Sequence, residues 1–328
     1  MKWSALFFAL CGLLHYGTAV AAANDDGGDG KQRAQRVGQK LVGQPGPSAT
    51  LTTLDGQRID LASLYGKQPV YLKFWATWCK PCREQSPGFE RLYQQYGKRI
   101  AVVAVNTGYS ETEADVRAFR TQYGLHMPVV IDDGSLGGQL NLRVTPQHVV
   151  IDANGRIVHV GHLDDQALHD ALERVATTPA SAGGIPLAPQ NAAPAAFKVG
   201  DQVSGISVTT MAGKTIAIGA GKPRALVFFS PWCESYLRDT RPATAGACER
   251  VRRETERLAK DRSVEWVGIS SPLWTSRAEL ADYAKQKRTT IPLALDQNGD
   301  IFRAFGVRQI PTVVMLDAQG RITKVAAQ

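Results

Sequence analysis

An internal repeat is the feature of this sequence that most limits its possible folds. The run TPQHVVIDANGRI at Thr145–Ile157 is echoed by IPTVVMLDAQGRI at Ile310–Ile322, with proline, apolar residues, aspartate and glycine at matching positions. A tryptophan–cysteine pair that begins at Trp78 recurs at Trp232. A repeat of this length predicts two tandem copies of one fold.

Apolar runs of strand length alternate with amphipathic helical segments in both copies. In the first copy Val70–Trp75 is typical of a buried strand, and Glu113–Tyr123 is typical of an amphipathic helix. This alternation predicts an α/β fold with a central mixed β-sheet flanked by helices. The domains are expected at 41–176 and 196–328, joined by an Ala/Pro/Gly-rich linker at 177–195.

Cys79 and Cys82 form a CxxC motif where a predicted strand gives way to a predicted helix. In the first turn of a helix two side chains three positions apart are close enough to form a disulfide. The unpaired N–H groups and the positive end of the helix dipole stabilise the Cys79 thiolate. Pro81 is tolerated there because its missing N–H would have no intrahelical partner. These conditions favour a reversible dithiol/disulfide couple.

Two other uses of a CxxC motif compete with redox chemistry. A zinc site needs a second pair of ligands, and the histidines outside the N-terminal segment are scattered. A structural disulfide is the other alternative, but so tight a loop at a helix start is reducible compared with a long-loop staple. The redox interpretation is preferred, and no metal and no cofactor are expected.

The N-terminal segment predicts export. A lysine, a short apolar run and a cluster of alanines over residues 1–23 are typical of a signal peptide cleaved after Ala21 or Ala23, which would remove Cys11. Residues 24–40 are expected to form a flexible leader. The mature chain is then expected to be soluble in the periplasm, a compartment that permits disulfides. The net charge of +8 is interspersed with acidic residues and gives no support for nucleic-acid binding.

The first copy resembles the exported TlpA/ResA/CcmG-type thioredoxin-like thiol-disulfide oxidoreductases. The run FWATWCKPC at Phe74–Cys82, the tripeptide Val144–Pro146 and the pattern Asp152-x-x-Gly155 carry this resemblance. It covers about residues 41–176. It implies the thioredoxin fold for this domain, and the repeat then implies a second, degenerate thioredoxin-fold domain.

The resemblance also implies roles and partners. Pro146, preceded by Thr145, would be a cis-proline that faces the CxxC motif and docks the substrate backbone, while Trp75 and Trp78 frame the site. Clients would be proteins with cysteines or disulfides, such as apocytochromes or metal-site apoproteins. Electrons would come from a membrane thiol donor of the DsbD/CcdA type.

Three residues depart from the family pattern. Lys73 stands where many thioredoxins have a buried aspartate that accepts a proton, so that relay is in doubt. Lys80 follows Cys79, and its charge should favour the thiolate and make the couple more oxidising than a glutamate would. The strand that follows the candidate cis-proline carries Gln147 and His148 where the family usually has small or aromatic residues, and for His148 a packing role is favoured over a proton shuttle.

The second copy lacks a CxxC motif, because Tyr236 occupies the position of its second cysteine. Cys233 and Cys248 remain, fifteen residues apart, and the helix-breaking residues between them would let the chain fold back. Three interpretations stay open: a disulfide, an active redox pair that serves the first domain, and a peroxiredoxin-like peroxidatic Cys233 resolved by Cys248. By its position in the repeat, Pro311 is the second candidate cis-proline. A copper site is excluded because this domain has no histidine.

These observations predict a periplasmic thiol-disulfide oxidoreductase that acts as a reductase. Cys79 would attack the client disulfide, and the more buried Cys82 would resolve the mixed disulfide. The competing hypothesis is a redox-assisted binding or assembly factor for an exported metalloprotein or cytochrome. In that case the second domain would capture a partner while the CxxC motif keeps it reduced.

Overall fold

A computed structural model describes residues 29–180, 195–219 and 221–327 of the 328-residue chain. The described residues fold into two α/β units in sequence. The first unit contains α1 (Gly30–Leu41), β1 (Thr50–Thr52), β2 (Arg58–Asp60), α2 (Leu61–Leu64), β3 (Val70–Trp75), α3 (Lys80–Tyr96), β4 (Ala101–Asn106), α4 (Glu113–Gln122), β5 (Val129–Ile131), α5 (Ser135–Gln139), β6 (Gln147–Ile151), β7 (Ile157–Gly161) and α6 (Gln166–Thr177). The second unit contains β8 (Ile206–Thr209), β9 (Thr215–Ile218), β10 (Arg224–Phe229), α7 (Cys233–Tyr236), α8 (Pro242–Leu258), β11 (Glu265–Ser270), α9 (Arg277–Lys287), β12 (Leu293–Leu295), α10 (Asp300–Ala304), β13 (Thr312–Leu316) and β14 (Ile322–Ala327).

Each unit is built on a five-stranded mixed sheet, and the two sheets have the same topology. The strand orders are β5-β4-β3-β6-β7 and β12-β11-β10-β13-β14. In each sheet the first three strands in that order are parallel, and the remaining two pair antiparallel. A two-stranded hairpin precedes each sheet, β1–β2 in one and β8–β9 in the other. The predicted fold class, two tandem thioredoxin-fold domains, is confirmed.

The central strand β3 explains how the first domain is layered. All six of its residues are buried, as expected for a strand covered on both faces. Successive side chains alternate between the faces. Tyr71 and Trp75 therefore join the core with Phe89 of α3, while Leu72 and Phe74 join a second core on the opposite face. Lys73 shares the face of Tyr71 and Trp75, which places a lysine under the helix that carries the CxxC motif.

The predicted flexible leader is wrong for the part that the structure describes. Residues 30–41 form α1, which begins at an Asp29 side chain accepting a hydrogen bond from the Gln32 N–H at 2.8 Å and packs on β7. Ala34 and Val37 bury a narrow apolar stripe. Gly38 permits close approach, since a Cβ there would lie 3.4 Å from the Val160 carbonyl oxygen. The stripe is short and lies among polar residues, so composition alone suggested a tail.

Two further predictions fall wholly or largely outside the described residues. The signal peptide at 1–23 lies outside them, as does most of the linker at 177–195. Only the linker's first residues are described before residue 181, and Thr177 ends α6. Among the helices that the structure describes, none has the length and apolarity needed to cross a membrane.

Candidate active site

The CxxC motif lies at the N-terminus of α3. Cys79 is the N-cap residue, and it is bonded to Cys82 with their Cα atoms 5.2 Å apart. The Cys82 backbone N–H donates to Cys79 Sγ at 3.2 Å. Pro81 occupies the first turn, where no hydrogen bond is lost. A Cys79 thiolate would therefore keep a backbone donor and the helix dipole beside it when the disulfide is reduced.

A cis-proline turn faces the disulfide. The peptide bond between Thr145 and Pro146 is cis, and the Thr145 carbonyl oxygen lies 3.3 Å from Cys79 Sγ. The Pro146 carbonyl oxygen accepts a hydrogen bond from Nδ1 of His162 at 2.7 Å. This hydrogen bond holds the cis-proline turn in place next to Cys79 Sγ.

The two tryptophans of the motif hold the loop before Cys79. Trp78 is buried and donates its indole N–H to the Tyr109 carbonyl oxygen at 2.8 Å. Trp75 packs on Phe119 with ring centroids 4.4 Å apart. Both rings are therefore part of the core, and Trp78 lies directly beneath the sulfur-bearing turn.

A buried polar cluster lies behind the site on the α3 face of the sheet. Lys73 is 2% exposed, donates to the Gln85 carbonyl oxygen at 3.4 Å and lies 4.7 Å from the Phe89 ring centre. His148 Nδ1 accepts a hydrogen bond from the Tyr71 hydroxyl at 2.7 Å, and His148 Nε2 donates one to the Gln85 side-chain oxygen at 3.0 Å. These partners fix one tautomer of a neutral imidazole.

Burial disfavours charge throughout this cluster. It lowers the pKa of Lys73 to about 7, with a small opposing effect from Asp164. It also lowers the pKa of His148 well below its usual value, and the nearby Lys73 adds to that shift. The position that carries an acid in many thioredoxins thus holds a base that loses its proton near neutral pH.

Glu111 supports the turn that precedes the CxxC motif, and the sequence analysis did not identify it. Its carboxylate accepts hydrogen bonds from the Thr77 backbone N–H and, at 2.8 Å, from the Asn106 side-chain amide. Desolvation raises the pKa of Glu111 to about 7, although these hydrogen bonds oppose the shift. A single glutamate in an irregular loop has no periodic signal that would single it out.

In the second domain Cys233 and Cys248 form a disulfide with Cα atoms 6.3 Å apart. The chain turns back after the single turn of α7, and Pro242 starts α8 alongside it. Cys233 is fully buried. The peptide bond before Pro311 is cis. A redox role for this pair and a peroxidatic Cys233 both stay predictions.

Glu234, the neighbour of Cys233, is neutralised by two cations. It accepts from Arg252 at 2.6 Å and from Lys287 at 2.7 Å. Burial alone would raise the pKa of Glu234, but these hydrogen bonds lower it overall. The glutamate therefore anchors α7 to α8 and α9.

The two domains meet through the faces that carry these sites. The rings of Trp78 and Trp232, equivalent residues in the repeat, pack with centroids 5.0 Å apart. The Lys80 backbone N–H, at the start of α3, donates to the Tyr236 hydroxyl at 3.0 Å. Beside this contact, Cys79 and Cys82 are each 1% exposed.

Two equivalent loop residues extend the contact in a twofold-related way. Ser110 and Trp274 each lie four residues beyond the end of the second sheet strand of their domain, and both have positive φ, 57° and 55°. The Ser110 N–H donates to the Arg308 carbonyl oxygen at 2.6 Å, and the Trp274 N–H donates to the Arg143 carbonyl oxygen at 2.8 Å. Each acceptor lies three residues before its domain's cis-proline.

Side chains complete the contact around both prolines. Trp274 Nε1 donates to the Thr145 hydroxyl at 3.2 Å, and Ser110 Oγ accepts from the Ile310 N–H at 3.1 Å. Arg241 donates to Thr77 Oγ1 at 2.6 Å and forms an ion pair with Asp115 at 3.2 Å. The sequence analysis did not predict this interface, because it depends on which loops of two separate domains meet.

Comparison with known proteins identifies relatives of both halves. A model of the AhpC/TSA family matches residues 42–160, and a model described as Redoxin matches residues 198–328. The thioredoxin-like protein YneN of Bacillus subtilis (strain 168) is 39% identical over 134 residues, which are 40% of this chain and 78% of that protein. The thiol-disulfide oxidoreductase ResA of Bacillus thuringiensis (strain Al Hakam) is 34% identical over 138 residues, 41% of this chain and 78% of ResA. A solved thiol:disulfide interchange protein of the thioredoxin family from Chlorobium tepidum TLS is 25% identical and covers 40% of this chain and 95% of its own, with a TM-score of 0.35.

A thioredoxin fold with a CxxC disulfide at a helix N-terminus defines a class of protein, the thioredoxin-like redox proteins. Within that class, this chain belongs to the family of thioredoxin-like thiol-disulfide oxidoreductases that includes ResA and YneN. It is an enzyme of the thiol-disulfide oxidoreductase type, with Cys79 and Cys82 as its CxxC pair.

Proposed function

We propose that this protein is exported to the periplasm and reduces disulfides in client proteins through Cys79 and Cys82. The observation that carries the proposal is the position of Cys79 Sγ, at the start of α3 and 3.3 Å from the carbonyl oxygen of Thr145. This arrangement sets a sulfur with a stabilised thiolate beside the cis-proline turn that precedes β6, where an extended client segment can bind.

The first step is attack by the Cys79 thiolate on one sulfur of a client disulfide. A mixed disulfide forms between Cys79 and the client, and the other client sulfur leaves as a thiolate that takes a proton. The Cys82 backbone N–H, 3.2 Å from Cys79 Sγ, favours the attacking thiolate.

The second step releases the client. Cys82 loses its proton and attacks Cys79 Sγ, so that the Cys79–Cys82 disulfide forms and the second client sulfur leaves and is protonated. The client gains two electrons and two protons, and the protein loses the same. A membrane thiol donor of the DsbD/CcdA type would return the electrons.

Three features support the assignment of the supporting residues. Thr145 and Pro146 form the turn where a client would dock. Trp75 and Trp78 hold the loop before Cys79. Pro81 lies in the first turn of α3, where its missing N–H costs no hydrogen bond. Each of these residues contacts the CxxC turn or the core beneath it.

A redox titration tests the role of the first pair. The protein is poised at a series of potentials, its thiols are trapped, and each cysteine is read by peptide mass spectrometry. We expect Cys79–Cys82 to titrate at a mild potential while Cys233–Cys248 stays closed. Titration of both pairs, or a disulfide between Cys79 and Cys233, would instead indicate a two-centre relay.

Trapping of a client tests the direction and the roles. A Cys82→Ala variant should accumulate a mixed disulfide on Cys79 with a disulfide-containing protein, and Cys79→Ser should form none. The reduced wild type should reduce such a protein, and Cys79→Ser should not. Retention of function in Cys79→Ser would favour a binding or assembly factor.

Export is tested separately. Fusion of residues 1–40 to a reporter enzyme that is active only outside the cytoplasm should give activity, and the exported fusion should begin after Ala21 or Ala23. Activity that does not depend on residues 1–23 would contradict the proposal.

A further inference from the structure

The face of the second domain that contacts the CxxC site buries the atoms an exchange reaction needs. Trp232 lies on Trp78, Tyr236 accepts from the first N–H of α3, and both cysteines of the site are 1% exposed. For exchange, the Cys79 thiolate must reach a sulfur of the client disulfide. A folded domain that lies over Cys79 blocks this approach. This arrangement is therefore one in which protein-sized clients are excluded.

The covering domain uses the same main-chain position that an extended client would use. The Trp274 N–H donates to the Arg143 carbonyl oxygen, and its indole N–H donates to Thr145, the residue before the cis-proline. A client segment that docked beside Pro146 in the same way would use these acceptors for its own N–H groups. The second domain and such a client would then compete for them.

The contact combines aromatic packing, such as Trp78 on Trp232, with polar contacts that water can replace when the domains separate. Arg241 binds Thr77 and Asp115, and all three side chains are partly exposed. Tyr236 keeps 42% of its surface exposed although its hydroxyl is bound. Water can replace these partners on separation, and the ion pair between the buried Arg33 of α1 and Glu279 of α9 would break as well.

Backbone conformation also couples to this contact. Ser110 and Trp274 adopt positive φ, which residues with a Cβ rarely do. Each of them donates its N–H to the opposite domain. The disfavoured conformation is thus held by the interdomain hydrogen bonds, and separation would let both loops relax.

We propose that the second domain is a tethered competitor for the client-docking face, and that Cys79 reacts with clients only after the two domains separate. On the second domain, Trp232, Tyr236, Arg241 and Trp274 contact the residues around the CxxC motif and the cis-proline turn. This inference rests on the proposed function, because it assumes that clients dock at the edge beside Pro146.

The test measures access to Cys79 in the full-length protein with Cys79–Cys82 reduced. The probe is a maleimide linked to a bulky polymer, and labelling of Cys79 is read by peptide mass spectrometry, which also reports the state of Cys233–Cys248. Arg241→Glu places like charges beside Asp115 and should raise the labelling rate about tenfold, equivalent to a shift of ~1.4 kcal/mol in the closed-to-open equilibrium. Tyr236→Phe removes only the acceptor for the Lys80 N–H and should raise the rate less.

Arg253→Glu is the matched control. Arg253 also belongs to the second domain, is exposed and pairs with Glu249 on its own helix, so labelling should stay at the wild-type rate. Circular dichroism confirms that each variant is folded. Equal rates in wild type, Arg241→Glu and Arg253→Glu would overturn the proposal.

Reduction of a disulfide-containing protein in the same variants separates this inference from the proposed function. Faster labelling and faster client reduction in Arg241→Glu support both. Faster labelling of Arg241→Glu without client reduction in any variant supports the second domain as a competitor and contradicts the reductase function. If all variants reduce the client at the same rate and are labelled at the same rate, the second domain is not a competitor, and the reductase function stands.

Discussion

At the residue scale, Lys73 is the most unusual feature of the site. It is buried on the sheet face under α3, and its nearest partners are a carbonyl oxygen and an aromatic ring. Among the residues that the structure describes, no carboxylate lies within hydrogen-bonding distance of its Nζ to compensate for burial, so the charged form of this lysine is disfavoured and the neutral amine becomes accessible near pH 7.

Replacement of this lysine should change how stability depends on pH. In the unfolded chain a lysine keeps its proton up to about pH 10, whereas Lys73 in the folded protein has a pKa of about 7. Between these values the unfolded state binds more protons, so wild-type stability rises with pH. Lys73→Met should abolish most of that rise and stabilise the protein at pH 7 by up to roughly 4 kcal/mol, the free energy that corresponds to lowering a pKa from about 10 to about 7.

Urea unfolding at pH 7 and at pH 9.5 measures this effect. Lys67→Met, at an exposed lysine of the same domain, is the control and should keep the wild-type pH dependence. If Lys73→Met retained the wild-type rise between the two pH values, the buried lysine would not be its source.

Lys80 should tune the neighbouring sulfur. Its side chain is exposed next to Cys79, so reversal of its charge acts through solvent and the effect is modest. In reduced Lys80→Glu the pKa of the Cys79 thiol should rise by up to about one unit, and the couple should become more reducing. The pH dependence of Cys79 alkylation measures this shift.

Lys98→Glu provides the comparison for Lys80. Lys98 is exposed beyond the far end of α3, and helix length places it well beyond a Debye length at physiological salt. It should leave Cys79 unchanged. An unchanged or lower Cys79 pKa in Lys80→Glu would contradict the proposed influence.

At the element scale, the segment between Cys233 and Cys248 is a short helix, a reversal and the start of a long helix. The disulfide joins α7 to α8. Tyr236 and Arg241, which contact the first domain, lie between the two cysteines. The bond therefore restrains the segment that covers the CxxC site.

Removal of the Cys233–Cys248 disulfide should lower the stability of the second domain and weaken its contact with the first domain. Loss of a loop closure of this size costs about 3 kcal/mol on the chain-entropy model, and loss of the tighter Cys79–Cys82 loop costs less. Cys233→Ala/Cys248→Ala should unfold at lower temperature than Cys79→Ala/Cys82→Ala in thermal denaturation without reductant. A melting temperature equal to that of wild type would show that the bond does not restrain the segment.

At the scale of the whole molecule, patterns with a period were predictable from the sequence. The apolar run at 70–75 is β3, and the periodic segment at 113–123 is α4 with one residue fewer. The repeat predicted a second sheet of equal topology, and the CxxC motif predicted the start of α3. These features are local, or they recur, so one sequence contains enough information to place them.

Features that depend on tertiary contact were not predictable. The docking of α1 on β7 rests on two apolar side chains and a glycine, and the interface rests on single loop residues such as Ser110 and Trp274. The loop residues of the interface have no periodic signal, and the apolar stripe of α1 is too short to give a strong one. Tyr236 was noticed only as a missing cysteine, whereas in the structure it caps the helix start of the other domain.

Because the two domains belong to one chain, their contact sets a minimum affinity that a client must have to bind the CxxC face. A domain that belongs to the same chain as its binding site competes as if it were present at an effective concentration on the order of millimolar. A client at micromolar abundance must therefore bind the CxxC face about a thousandfold more tightly than the second domain does to displace half of it. Weak or incidental collisions with other proteins would rarely reach the sulfur, so the duplicated domain would act as a filter that sets the minimum affinity of a substrate.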